Sequence, residues 1–114
     1  MSAITTHVLD TSRGRPAQGV KLVLASRSVK GDWAELAAGE TDADGRNRSL
    51  LAAGARPAPG VYRLRFELEE YFRKQGVPAF YPFADIVFEV RDPSEHYHVP
   101  LLLSPFGYST YRGS

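Results

Sequence analysis

The 114-residue chain has no cysteine. That excludes a disulfide framework, a thiolate nucleophile, a Cys-based zinc site and an iron–sulfur cluster. It also lacks an excess of either charge. Fourteen basic and 13 acidic side chains leave a formal net charge of +1 at pH 7. Composition therefore carries no electrostatic footprint for nucleic acid or an anionic membrane. Long apolar runs are missing too. Apolar runs such as Leu101–Leu103 are strand-sized, far short of the ~18–20 residues of a membrane span. The opening Met-Ser-Ala-Ile-Thr-Thr-His has no basic n-region and no apolar core, so it does not read as a secretory signal. The final Tyr-Arg-Gly-Ser is not a peroxisomal address. A cytoplasmic protein is the expectation. There is no Gly-x-Ser-x-Gly elbow, phosphate loop or His-Glu-x-x-His. The chain also lacks an internal repeat or low-complexity tract, and its length suits one domain, residues 1–114. A chain this short has little material to wall off a deep pocket. If it is an enzyme, its site should be shallow or shared between subunits.

What is present is short strands between frequent turns. Gly14-Arg15-Pro16, Lys30-Gly31-Asp32, Asp42-Ala43-Asp44-Gly45, Pro57-Ala58-Pro59-Gly60, Gly76-Val77-Pro78 and Asp92-Pro93-Ser94 read as turns or loops. Val20–Ala25 is rich in β-branched residues and Leu. Along Val61–Leu68, Tyr62, Leu64, Phe66 and Leu68 alternate with Arg63, Arg65 and Glu67. Along Ala84–Asp92, Ile86, Phe88 and Val90 alternate with Asp85, Glu89 and Arg91. Period two with closely spaced turns predicts an all-β antiparallel sandwich of about seven or eight strands. One stretch breaks the pattern. Glu69–Gln75 has no β-branched residue, is rich in helix formers and stops at Gly76, which predicts one short helix between the fifth and sixth strands.

Chemistry must come from few residues. His96 and His98 share one face of the segment His96–Ser104, opposite Tyr97, Val99, Leu101 and Leu103. The second set faces the core, so both imidazoles point away from it. His7 shares a face with Thr5 and Leu9, opposite Ile4, Thr6 and Val8. The ordinary reading is three surface histidines. The sharper one is a site, with His-x-His able to chelate a metal if His7 supplies a third ligand. Arg46 follows Asp44-Gly45 in a turn. It is either a solvated hairpin residue or an always-charged fork for a planar anion or developing oxyanion. The last residues, Phe106 to Ser114, are aromatic and hydroxyl-rich, where most termini are polar and frayed. Packed against His98, they could line a small polar pocket.

The segment His96-Tyr97-His98-Val99-Pro100 through Tyr111-Arg112-Gly113-Ser114 resembles the C-terminal signature of 5-hydroxyisourate hydrolases, the transthyretin-related proteins of urate breakdown. Thr6-His7-Val8-Leu9-Asp10 with Gly14-Arg15-Pro16-Ala17 resembles that family's N-terminal signature, and Thr41-Asp42-Ala43-Asp44-Gly45-Arg46 its middle motif. Hormone-carrying transthyretins are similar in fold but lack the terminal Tyr-Arg-Gly-Ser. The resemblance implies a transthyretin-like sandwich and cofactor-free ring opening of 5-hydroxyisourate. It also implies a homotetramer, a dimer of dimers with sites at the dimer–dimer interface. By the same resemblance His7, Arg46 and His98 are catalytic, and His7, Arg46, Tyr111 and Ser114 bind substrate. No metal is required, although zinc at His7, His96 and His98 is a competing reading. A small-ligand carrier without chemistry is the alternative function.

Overall fold

Residues 2–114 are described by a computed structural model. The alternating segments become nine strands and one helix: β1 (Ile4–Asp10), β2 (Arg15–Pro16), β3 (Lys21–Arg27), β4 (Trp33–Glu40), β5 (Arg46–Asn47), β6 (Gly60–Glu67), α1 (Glu69–Arg73), β7 (Phe83–Val90), β8 (Tyr97–Ser104) and β9 (Gly107–Thr110). Two of the nine, β2 and β5, are only two residues long. The first sheet runs β2-β1-β8-β9, with β5 also paired to β1; the second runs β4-β3-β6-β7.

Burial follows the period-two faces. Tyr62, Leu64 and Phe66 of β6 pack against Val8 of β1 and Leu101 and Leu103 of β8 in one hydrophobic core. Each such side chain, taken from water, stabilises the fold by roughly 1.5–3 kcal/mol. In α1 only Tyr71 and Phe72 are buried. Its acidic first turn (Glu69, Glu70) and basic last turn (Arg73) suit the helix dipole. Tyr71 does a second job. Its hydroxyl donates to Oδ2 of the fully buried Asp10 at 2.7 Å, while Asp10 Oδ1 accepts from Ser12 and the Arg13 N–H. A buried carboxylate is tolerated because both of its oxygens accept hydrogen bonds. The end of β1 is thereby tied to the helix.

Three features depart from the expectation. One central pair is parallel: β1 runs beside β8 with Thr5 opposite His98 and Val8 opposite Leu101. Local alternation fixes which way side chains point, not the direction of the partner. The helix falls between the sixth and seventh strands and ends at Arg73 rather than Gln75. Finally, β4 shows no clean alternation because neither of its faces is deeply buried; it is an edge strand paired only to β3.

Candidate active site

Arg46 is delivered by the turn Thr41–Arg46. Asp42 Oδ1 accepts from the N–H of Asp44 and of Arg46, both at 2.9 Å, and Gly45 N–H donates to the Asp42 carbonyl. The Arg46 N–H holds the Asp42 carboxyl below its ordinary pKa. Gly45 has φ +74°, and a Cβ there would lie 2.4 Å from the Val8 carbonyl. Only glycine lets this turn lie against β1. Gly45 carbonyl then accepts from Val8 N–H at 2.7 Å, and His7 comes to lie opposite Arg46.

The parallel pairing supplies the other half. Thr5 and His7 point to the outer face of the first sheet, as does His98 across from Thr5. Thr5 Oγ1 lies 2.8 Å from His98 Nδ1 and 2.9 Å from His96 Nε2. The two imidazoles are near-parallel, with centroids 6.2 Å apart and planes at 22°. The chain end returns to the same place: Gly113 N–H donates to the His98 carbonyl at 2.8 Å. A Cβ on Gly113 would fall 2.5 Å from His98 Cδ2, so any side chain there would push the ring or the tail aside.

These residues wall an open cavity of about 290 Å³, with Thr5, Arg46, Arg48, His96, His98 and Ser114 on its surface. His7 is half-buried and sits beside Arg46 rather than in the cavity wall. Tyr111 is elsewhere. It is 57% exposed and lines a separate cavity of about 240 Å³ with Ile86, Phe88 and Thr110. His98 borders both cavities. Larger hollows beside Trp33 and beside Arg13 and Arg15 contain no imidazole.

The electrostatics favour neutral imidazoles. Burial first, and then the Arg46 guanidinium, lower the pKa of His7 below 6.5; the Asp44 carbonyl opposes them. His98 is lowered by burial, then by Arg46, His96 and His7. Both rings can therefore hold a lone pair at neutral pH, beside a guanidinium that stays charged. Among the described residues no group of three or more His, Cys, Asp or Glu side chains could hold a metal ion. His96 and His98 turn ring nitrogens onto one hydroxyl rather than toward a common point near His7.

Three wall residues, Thr5, Thr6 and Arg48, were not anticipated. Thr5 had a signal, since alternation puts it on the His7 face. Arg48 lies two positions after Arg46 and carries the same charge, but only the fold of the turn brings it to the wall.

A sandwich of this topology, with imidazoles and a guanidinium on the outer face of one sheet, is of the transthyretin type. Transthyretin from Sparus aurata superposes with a TM-score of 0.91 at 34% identity, covering 99% of this chain and 97% of that one. The 5-hydroxyisourate hydrolase of Klebsiella pneumoniae gives a TM-score of 0.87 at 37% identity, with both chains covered completely. Residues 4–113 match the HIUase/Transthyretin family, and the chain belongs to it. Curated relatives include the 5-hydroxyisourate hydrolases of Mus musculus, 45% identical over 114 residues (99% of this chain, 96% of the relative), and of Caulobacter vibrioides, 48% identical over 119 residues with both covered completely. No helix among the described residues is long and apolar enough to cross a membrane.

Proposed function

We propose that this chain, over residues 1–114 as one domain, is a 5-hydroxyisourate hydrolase. It opens the substrate ring at the N1–C6 amide to give 2-oxo-4-hydroxy-4-carboxy-5-ureidoimidazoline. The observation that carries the reading is the convergence of His98, Arg46 and Ser114 on one cavity, with His7 beside Arg46. A planar, oxygen-rich heterocycle offers acceptors to guanidinium and hydroxyl groups, and a carbonyl to water. Relatives named 5-hydroxyisourate hydrolase support the choice of substrate.

In this mechanism His98 takes a proton from water, with His7 orienting it, and the hydroxide adds to the ring carbonyl. General base catalysis of this kind supplies ~10²–10⁴-fold. Arg46 stabilises the oxyanion as the carbon becomes tetrahedral. The C–N bond then breaks, and the proton held by histidine passes to the departing nitrogen. Ser114 fixes the ring by hydrogen bonding. Tyr111 takes part once a second copy brings the two cavities that meet at His98 under one roof.

That assembly, a homotetramer built as a dimer of dimers, belongs to the proposal. β7 pairs only with β6 and β9 only with β8, so each leaves one backbone edge unpaired. Phe80, Phe106, Val87 and Tyr111 are all more than half exposed nearby. Apolar surface along open strand edges is what a second copy covers. The setting we assign is the cytoplasm, which cell fractionation tests.

The carrier alternative has one observation in its favour, a TM-score of 0.89 to sea bream transthyretin in complex with thyroxine. Two imidazoles and two guanidiniums in a polar cavity suit chemistry better than an apolar aromatic ligand. The deciding experiment adds purified protein to freshly generated 5-hydroxyisourate and follows its ultraviolet absorbance. Accelerated loss is expected. Loss at the spontaneous rate overturns the hydrolase reading.

A further inference from the structure

The Thr5 hydroxyl touches two imidazoles but has one proton. With both rings neutral it can donate to only one of them and must accept from the other. The tautomers of His96 and His98 are therefore coupled through a single oxygen. If His98 Nδ1–H donates to Oγ1, then Oγ1–H donates to His96 Nε2, and His98 Nε2 carries a free lone pair. If the chain runs the other way, His98 Nε2 carries the proton.

We infer that Thr5 is a proton relay that carries the catalytic proton from His98 to the exposed His96 and back. This rests on the hydrolase reading above. When His98 Nε2 takes a proton from water, its Nδ1–H bond breaks as an Oγ1–H bond forms. The original Oγ1–H bond breaks as a His96 Nε2–H bond forms. His98 ends neutral and protonated at Nε2, ready to donate to the departing nitrogen, and one positive charge rests on His96. The reverse transfer restores the starting state when that nitrogen is protonated. No other reactant is needed.

The geometry fits this role. Both contacts, 2.8 and 2.9 Å, are of hydrogen-bond length, and Thr5 is only 3% exposed, so water does not compete for the hydroxyl. His98 is half-buried and faces Arg46, Arg48 and His7, all unfavourable to a lasting imidazolium. His96 is exposed, on the side where Arg112 bonds both the His96 carbonyl and the Glu95 carboxylate. Charge is better hydrated there than on His98.

The test compares wild type, Thr5→Ser, Thr5→Val, His96→Phe and the Thr5→Val/His96→Phe double variant. Thr5→Val and His96→Phe should each lower kcat about tenfold or more with little change in KM. The double variant should be no worse than either single one, because the two residues act as one path. Thr5→Ser should recover most of what Thr5→Val loses. Above pH 7, imidazole ¹⁵N shifts of the wild type should show both rings as Nδ1–H tautomers, a preference lost in Thr5→Val. Additive losses, wild-type kcat in Thr5→Val, or an Nε2–H tautomer of His98 in the wild type each overturn the relay. Should Thr5→Val fail to fold, the wild-type spectrum and His96→Phe decide it. If wild type has no turnover, the hydrolase reading fails and the ¹⁵N spectra still judge the coupling.

Discussion

Replacing Gly113 with alanine isolates the tail's hold on His98. The added Cβ would sit 2.5 Å from His98 Cδ2, 3.3 Å from His98 Cγ and 3.3 Å from Pro100 Cγ. Comfortable carbon–carbon contact begins near ~3.5 Å. Either the ring or the tail must therefore yield by about 1 Å. Displacing the ring pulls Nδ1 off the Thr5 hydroxyl, now at 2.8 Å. Displacing the tail breaks the 2.8 Å bond from Gly113 N–H and takes Ser114 out of the cavity wall. An error of that size in a catalytic group costs on the order of 100-fold. The loss in stability should be small, about 1 kcal/mol, since one edge hydrogen bond is at stake. The assay is kcat/KM on 5-hydroxyisourate beside a thermal melt. The expected pattern is a rate drop of about 100-fold in a protein that melts within a few degrees of wild type. Wild-type turnover in Gly113→Ala would refute the argument that this contact sets His98. So would a collapse in stability that by itself accounts for the lost rate.

Three further outcomes are expected. His98→Ala and Arg46→Ala should each lower kcat/KM at least ~100-fold without changing the sedimentation behaviour of the protein; near-wild-type turnover in either one sinks its assignment. The acidic limb of kcat/KM should lie below pH 6.5, because burial and Arg46 lower both His7 and His98 from that value. By the same linkage the unfolded chain binds more protons than the folded one near pH 6.5, so stability should fall as pH drops through that value, which chemical denaturation at several pH values measures. A limb above 6.5 contradicts the lowered imidazoles. In the core, Leu64 is fully buried, and Leu64→Ala should cost about 2–5 kcal/mol in a urea titration. A loss below about 1 kcal/mol would mean that the sheets are not packed there as described.

Much of the fold could be read from alternation. The core faces of β6, β7 and β8 follow from every second residue being apolar, because successive side chains on a strand point to opposite sides. The same rule put His96 and His98 on one face of their strand and His7 with Thr5 on one face of theirs; that these are a single face of the sheet follows from the pairing of β1 with β8. Strand β4 escaped because an edge strand buried on neither face has no reason to alternate. Tyr111 was assigned with the cavity from its place in the C-terminal motif, whereas in the structure it borders a different hollow.

What the sequence determined by itself is local: where the chain turns, which way each side chain points, and that no thiolate carries chemistry in a chain without cysteine. Side-chain direction needs only the backbone's own period. What the tertiary structure decided is adjacency. The parallel register of β1 on β8 set Thr5 against His98, the turn at Gly45 set Arg46 against His7, and the tail brought Gly113 onto the His98 ring. Those partners are up to 93 residues apart in the chain. Their meeting depends on which strand edges pair, and that is settled by the packing of the whole sandwich.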